Sequence, residues 1–151
     1  MALYDDPDMI RAIINDRVDF YIKMLERVYK DIIPDYHFMS YRNGPLVSPD
    51  LFREFILPAY KKLTSFLRGK GINSSDGDIR KLLTLLIEGG VTGMLPLENV
   101  PGVDVVKLAE QYPKFQFIGG INKHEIAKGK EAIDAELDRV LPFMLKRGGY
   151  V

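Results

Sequence analysis

The chain has 151 residues, of which 46% are hydrophobic and 28% charged, and its 21 basic and 21 acidic residues leave no formal net charge. This balance is typical of one globular domain, and it lacks the clustered excess of Lys and Arg that nucleic-acid binding requires. The chain has no cysteine, which excludes disulfides, thiolate zinc sites and a Cys nucleophile. It shows no signal-peptide pattern and no apolar run of ~20 residues, so we expect a cytoplasmic protein without a membrane span.

The first predicted element is a long amphipathic helix. Asp6 is placed to cap it and Pro7 occupies its first position. Apolar residues recur at helical spacing, and we interpret the part formed by Tyr21, Met24, Leu25 and Val28 as core packing. The stripe contains Ile10, Ile13, Ile14, Val18, Tyr21, Met24, Leu25, Val28 and Tyr29. A short strand is predicted at 36–38, followed by a loop at 42–45.

A second helix is predicted from the N-cap Ser48, with Pro49 in its first turn. Pro58 lies inside this pattern, so a kink near residue 57 is expected. A very short extended segment at 72–75 then leads through a turn into a third helix at 79–88.

The rest of the chain alternates between strands and helices. Buried strands are predicted at 91–97 and 114–118, with a short helix capped by Asp104 between them. Asn122 is predicted to cap a last helical stretch that runs to about Lys146, with weak points at Gly129 and Pro142. Glu125 is predicted to complete a capping box.

Residues 150–151 resemble the start of one more strand. Alternation of this kind predicts an α/β fold with parallel strands and outer helices. A closed (β/α)₈ barrel takes ~250 residues, so we interpret residues 1–151 as a single domain that forms a partial TIM barrel.

Five segments, in order and mostly at matching spacing, resemble the uroporphyrinogen decarboxylase superfamily. Residues 43–58 resemble its GP-x-x-SPE-x-F-x-E-F-x-x-P signature, and residues 75–79 resemble its DSDG turn. Residues 90–98 resemble GV-x-G-x-x-PLE. Residues 104–106 and 119–123 resemble later elements of the family. The resemblance covers nearly the whole chain and corresponds to roughly the C-terminal half of a family member.

The resemblance implies a TIM barrel and one of two activities. The decarboxylase of the family removes four acetate carboxyls from uroporphyrinogen III without a cofactor. Other members move methyl groups between corrinoid proteins and thiols with the help of zinc, and this chain is more similar to uncharacterised members of that group. The resemblance also implies that the family's Arg-rich substrate-binding segment, its decarboxylation Asp and its C-terminal His or Cys element lie outside this chain.

The C-terminal ends of barrel strands carry the chemistry in such folds, and this rule selects the candidate site. Asp76 is the candidate catalytic residue, as a general acid/base or as a pyrrole N–H acceptor that stabilises positive charge on a protonated ring. The alternative is a simple turn residue, since Asp favours turns. The candidate substrate-binding residues are Ser40, Tyr41, Glu98, Gly119, Gly120 and Asn122.

Two of these predictions have a simpler structural alternative. Gly119 and Gly120 would let backbone N–H groups approach a carboxylate, but they also suit a tight turn between a strand and a helix. Glu98 would serve equally well as a solvated loop acid. His37 and His124 are interpreted as structural, and Lys123 is assigned to a solvated helix face.

No cofactor and no metal are expected. The turn of the zinc methyltransferases resembles His-x-Cys-Gly-Asn, and here Ser74 and Asp76 occupy the positions of its two soft ligands.

Three hypotheses follow, and each implies a different partner. The first is a decarboxylase-like domain that acts on a small-molecule tetrapyrrole, and the second is a methyltransferase component that meets a corrinoid protein. The third is an inactive domain that works only by association. Open sheet edges and an apolar inner face would promote pairing with another polypeptide or a homo-oligomer.

Overall fold

The computed structural model describes residues 2–32, 34–40, 47–67, 71–74 and 77–151, which form an α/β fold. Its helices are α1 (Ala2–Asp5), α2 (Pro7–Val28), α3 (Pro49–Leu51), α4 (Leu57–Phe66), α5 (Arg80–Glu88), α6 (Val105–Gln111), α7 (Lys123–Ile126) and α8 (Lys130–Arg147). Its strands are β1 (His37–Ser40), β2 (Gly71–Ser74), β3 (Gly93–Leu97) and β4 (Gln116–Gly119). No helix in these ranges is long and apolar enough to cross a membrane.

The four strands form one sheet in the order β1-β2-β3-β4, and every neighbouring pair is parallel. The prediction of a parallel sheet is therefore confirmed. Beyond β4, the Phe117 N–H donates to the carbonyl of Gly149 at 3.0 Å, and the Val151 N–H donates to the carbonyl of Phe117 at 3.1 Å. The predicted strand start at 150–151 is present as a single parallel bridge between Phe117 and Tyr150.

One face of the sheet is buried beneath the helices. Met39, Met94 and Phe117 lie on that face through the strand register, and at most 7% of each residue is exposed. They share a core with helical residues that include Leu83. Burial of each such side chain contributes about 1.5–3 kcal/mol. Phe38 points to the opposite face and is 55% exposed, so that side of the sheet is more open at β1.

Side chains cap three helices as the sequence predicts. Asp6 accepts a hydrogen bond from the Met9 N–H at 3.0 Å, and Ser48 accepts one from the Leu51 N–H at 3.2 Å. Asp104 accepts one from Lys107 N–H at 3.0 Å. Each cap satisfies a backbone donor that the first helical turn leaves without a partner.

The helices are interrupted close to the predicted positions. The second predicted helix runs without a gap from Pro49 to Phe66 as α3, a π-helical segment at Phe52–Ile56 and α4, and the π-helical segment directly precedes the predicted kink near residue 57. Pro58 is the second residue of α4, where its missing N–H removes no bond within that helix. Gly129 separates α7 from α8, so the last predicted helical stretch is divided in two.

The prediction that Tyr21, Met24, Leu25 and Val28 of α2 all pack in the core is wrong. Leu25 is the one buried residue within α2, at 5% exposure. Ile13, Tyr21, Met24 and Val28 are between 41% and 49% exposed. The described part of the chain therefore covers only a portion of the apolar side of α2.

Tyr29, at the end of α2, joins that helix to β1 and α4. Its hydroxyl lies 3.4 Å from Nδ1 of His37, and its ring stacks on Phe66 with a centroid distance of 5.7 Å. Burial lowers the pKa of His37, so the folded chain favours the neutral imidazole. The contact with Tyr29 is compatible with the structural role that the sequence predicts for His37.

We expect the free energy of unfolding to fall as the pH drops through about 6.5, the ordinary value of histidine. The unfolded chain binds a proton there that folded His37 resists, and protons therefore favour unfolding. Chemical denaturation between neutral and mildly acidic pH measures this slope. His37→Gln should flatten it, whereas His124→Gln, at an exposed position on α7, should preserve it. An unchanged slope in His37→Gln would contradict the assignment.

Candidate functional site

The predicted site residues follow strands whose C-terminal ends meet at one edge of the sheet. Ser40 ends β1 in register with Ser74, and Gly119 ends β4 in register with Leu97. Glu98 comes directly after Leu97, and Gly120 follows Gly119. Ser40 is three strands away from Gly119, which corresponds to roughly 14 Å at about 4.8 Å per strand.

Two predicted residues cannot be placed. Asp76 and Tyr41 lie outside the described residues, so their roles stay predictions. Gly77, which directly follows Asp76 in the sequence, is described and contacts the site.

Glu98 joins two loops at this edge. One carboxylate oxygen, Oε2, accepts a hydrogen bond from the backbone N–H of Gly77 at 2.8 Å. The other, Oε1, accepts one from the Lys123 ammonium at 2.9 Å. Glu98 therefore connects the turn before α5 to the first turn of α7, and it is more than a solvated loop acid.

The environment of Glu98 keeps its carboxyl ionised. The hydrogen bond from Lys123 lowers its pKa most, and the hydrogen bond from the Gly77 N–H adds to the effect. A carboxylate of this kind is a fixed negative charge at neutral pH and a poor proton donor. Asp78 is held in the same state, because hydrogen bonds from the Arg80 side chain lower its pKa.

Gly119 and Gly120 both adopt positive φ angles, of 92° and 88°. A Cβ atom on Gly120 would lie 2.7 Å from Cβ of Val105 and 3.2 Å from Cδ2 of Leu97. The turn after β4 thus packs closely against α6 and β3, which the tight-turn interpretation accounts for. The Gly120 carbonyl also accepts a hydrogen bond from the Asn99 side chain at 3.4 Å.

Asn122 caps α7, as predicted, through a hydrogen bond from the His124 N–H to Oδ1 at 3.0 Å. The predicted capping box with Glu125 is not the pairing observed. Glu125 instead pairs with Lys128 at 2.7 Å, and the Asn122 N–H donates to Oε1 of Glu136 at 3.1 Å. A buried carboxylate from α8 therefore replaces the local one.

Glu136 forms a second ionic cluster beneath this turn, and the sequence analysis missed it. It is 6% exposed and accepts a hydrogen bond from Arg139 at 2.8 Å, which lowers its pKa. Arg139 also donates to Asp104 at 2.7 Å, and these hydrogen bonds raise the pKa of the guanidinium. The cluster holds α8, α6 and the Asn122 turn together. The sequence did contain a signal for this cluster, because Glu136 is an acidic residue on the buried side of the amphipathic helix α8.

Lys123 was assigned to a solvated helix face, and this prediction is incomplete. Its side chain is 60% exposed, but its ammonium group contacts Glu98. Since 25 residues separate the two in sequence, no local spacing pattern indicates the pair. Among the described residues, no group of three His, Cys, Asp or Glu side chains is arranged to hold a metal ion.

Comparisons with protein-family models, with curated proteins and with solved structures found no significant match.

Gly120→Ala should destabilise the chain by about 1–3 kcal/mol more than Gly129→Ala. Both glycines have positive φ, at 88° and 103°, so backbone strain is comparable. Only Gly120 has atoms where the new Cβ would lie, because nothing is within 4 Å at Gly129. Urea denaturation of the two variants measures the difference. Equal losses would show that close packing at Gly120 contributes nothing.

Glu98→Gln should loosen both loops that the carboxylate joins. The neutral amide loses the ion pair with Lys123 and keeps one oxygen to accept a hydrogen bond. Hydrogen exchange should therefore become faster at Gly77 and in the first turn of α7. Glu88→Gln is the matched control, because Glu88 is also paired with a lysine, Lys61, at 2.8 Å but lies at the end of α5. Unchanged exchange at Gly77 in Glu98→Gln would contradict the role of Glu98.

Proposed function

We propose that this chain is a uroporphyrinogen decarboxylase-like domain, part of a TIM barrel, that binds a tetrapyrrole at the C-terminal edge of its sheet. The proposal is supported by five sequence segments that resemble the family in order. The observation that carries it is the parallel strand order, which brings Glu98 and the 119–123 segment of that resemblance to a single edge.

The charges at this edge suit a tetrapyrrole that carries acetate groups. Lys123 is an exposed cation that can meet a substrate carboxylate, and Glu98 is a fixed anion that can accept pyrrole N–H groups. Because Glu98 stays ionised, it is suited to stabilising positive charge and not to delivering the proton.

The proton transfer is assigned to Asp76. In decarboxylation, a ring carbon is protonated first, which places positive charge on the pyrrole. Loss of carbon dioxide then sends the electron pair of the broken C–C bond into the cationic ring and leaves an exocyclic methylene. Protonation of that methylene and loss of the added proton from the ring carbon give the methyl group and restore the pyrrole. Asp76 would act as the acid or as the anion facing the pyrrole nitrogens. Gly77, its neighbour in sequence, is hydrogen-bonded to Glu98, so the two carboxylates belong to connected loops.

The partial-barrel interpretation is also part of the proposal. In a barrel, consecutive parallel strands lie side by side in chain order, with helices on the outer face alone. The strand order agrees with this, and so does the burial of Met94 and Phe117 on the helix-covered face. Methyl transfer receives no comparable support, since Ser74 and Asp76 stand where soft zinc ligands would be needed.

The chain should bind uroporphyrin III, a stable oxidised form of the substrate, and should decarboxylate uroporphyrinogen III. Porphyrin fluorescence measures binding, and chromatography of the products measures turnover. Lys123→Met should weaken binding roughly tenfold through loss of a charge-assisted hydrogen bond. Asp76→Asn should abolish turnover with a smaller effect on binding.

Lys61→Met is the control, because Lys61 is an exposed cation paired with Glu88 on the helical side of the molecule. It should bind uroporphyrin III as the unmodified chain does. Equal losses in Lys61→Met and Lys123→Met, or no binding by the unmodified chain, would overturn the proposal. Stoichiometric zinc in the purified protein would favour methyl transfer instead.

A further inference from the structure

Helix α2 carries an apolar stripe of partly exposed side chains, of which Ile13 and Tyr21 also line a cavity against β1 and α4. Six large apolar residues of this helix are at least 41% exposed. They are Met9, Ile13, Phe20, Tyr21, Met24 and Val28. At about 100° per residue they fall on one side of the helix, next to the side that Leu25 buries. An apolar stripe of this length on a charged helix is typical of a helix–helix interface.

The spacing of the stripe is symmetric about the point between residues 18 and 19. Met9 and Val28 are equally far from that point in sequence. Ile13 and Met24 are also equally far from it. When two copies of a helix run antiparallel, residues placed symmetrically about the centre come to the same height. A second α2 would therefore set Met9 against the partner's Val28 and Ile13 against the partner's Met24.

Arg17 and Phe20 complete this pattern, since they too are symmetric about the centre. Arg17 lies within the angular range of the stripe and would otherwise interrupt an apolar surface. In the antiparallel pair it comes to the height of the partner's Phe20. A guanidinium over an aromatic ring is a favourable contact, so Arg17 gains a partner.

The charges at the two ends of α2 favour the same orientation. Asp6 and Asp8 lie at its N-terminal end, where Arg11 is already paired with Asp8 and with Glu54. The exposed cations Lys23, Arg27 and Lys30 lie at its C-terminal end, where the exposed acids Glu26 and Asp31 leave one net positive charge. An antiparallel pair places acidic ends against basic ends and opposes the two helix dipoles, whereas a parallel pair would place like charges together.

We propose that α2 pairs antiparallel with α2 of a second copy of this chain, and that the stripe forms the centre of a twofold interface. The inference is independent of the strand-edge site, because α2 contributes no residue to it. A twofold interface uses the same surface on both copies, which is the arrangement that a self-complementary stripe produces.

Engineered cysteines test the register directly, because the chain has no cysteine of its own. Met9→Cys mixed with Val28→Cys should give disulfide-linked dimers under mild oxidation. Either variant alone should not, since its two cysteines would lie about 28 Å apart along the paired helices. Ala12→Cys mixed with Glu26→Cys is the control, because both exposed positions lie on the polar side of α2.

Analytical ultracentrifugation of the full chain should show a concentration-dependent dimer, and the double variant Ile13→Asp/Met24→Asp should be a monomer. Both positions are exposed, so circular dichroism of this variant should match the unmodified chain. A chain that stays monomeric at all concentrations would overturn the proposal and leave the stripe to another occupant. Cross-linking by Met9→Cys alone, or by the control pair, would overturn the antiparallel register.

Discussion

Parallel pairing of β1, β2, β3 and β4 in chain order is the constraint on which the site depends. A parallel strand can follow another only after the chain has crossed back, and here each crossing contains a helix. Every loop that leaves a strand is therefore delivered to the same edge, however far apart the loops are in sequence. Glu98 meets Gly77, 21 residues before it, and Lys123, 25 residues after it, for this reason.

The charged groups at that edge are arranged in pairs that also hold the loops in position. Glu98 connects two loops, and Glu136 connects the Asn122 turn to α8. An exposed ion pair adds little stability by itself, because water screens it and two long side chains must be ordered. The contribution of Glu98 therefore lies in fixing the separation of the loops. The ligand of the proposed function would meet charges whose positions are already set, which would lower the cost of reorganisation on binding.

The sequence predicted what local chemistry controls. Asp6, Ser48, Asp104 and Asn122 cap their helices because a cap depends on residues two or three positions away. The alternation of predicted strands and helices along the chain likewise predicted a parallel α/β fold.

Long-range contacts escaped the sequence analysis. Nothing in the spacing of Glu98 and Lys123 indicates their contact, and the local capping partner Glu125 was chosen where the distant Glu136 is used. Periodicity likewise predicted which side of α2 is apolar, but it carries no information about how much of that side other elements cover. Val28, which periodicity placed in the core, is 47% exposed.

The exposed apolar surface is concentrated at one end of the sheet, and this asymmetry matters for association. At the other end, Val151 pairs with Phe117, so β4 has a neighbour on each side. Within the described chain, β1 pairs with β2 alone, and Phe38 is 55% exposed beside it. A cavity of about 410 Å³ between α2, β1 and α4 lies next to this strand, and Ile13 and Tyr21 of the α2 stripe line it. An exposed strand edge next to apolar side chains is the kind of surface that favours contact with another polypeptide, and the proposed α2 interface lies at this end of the molecule.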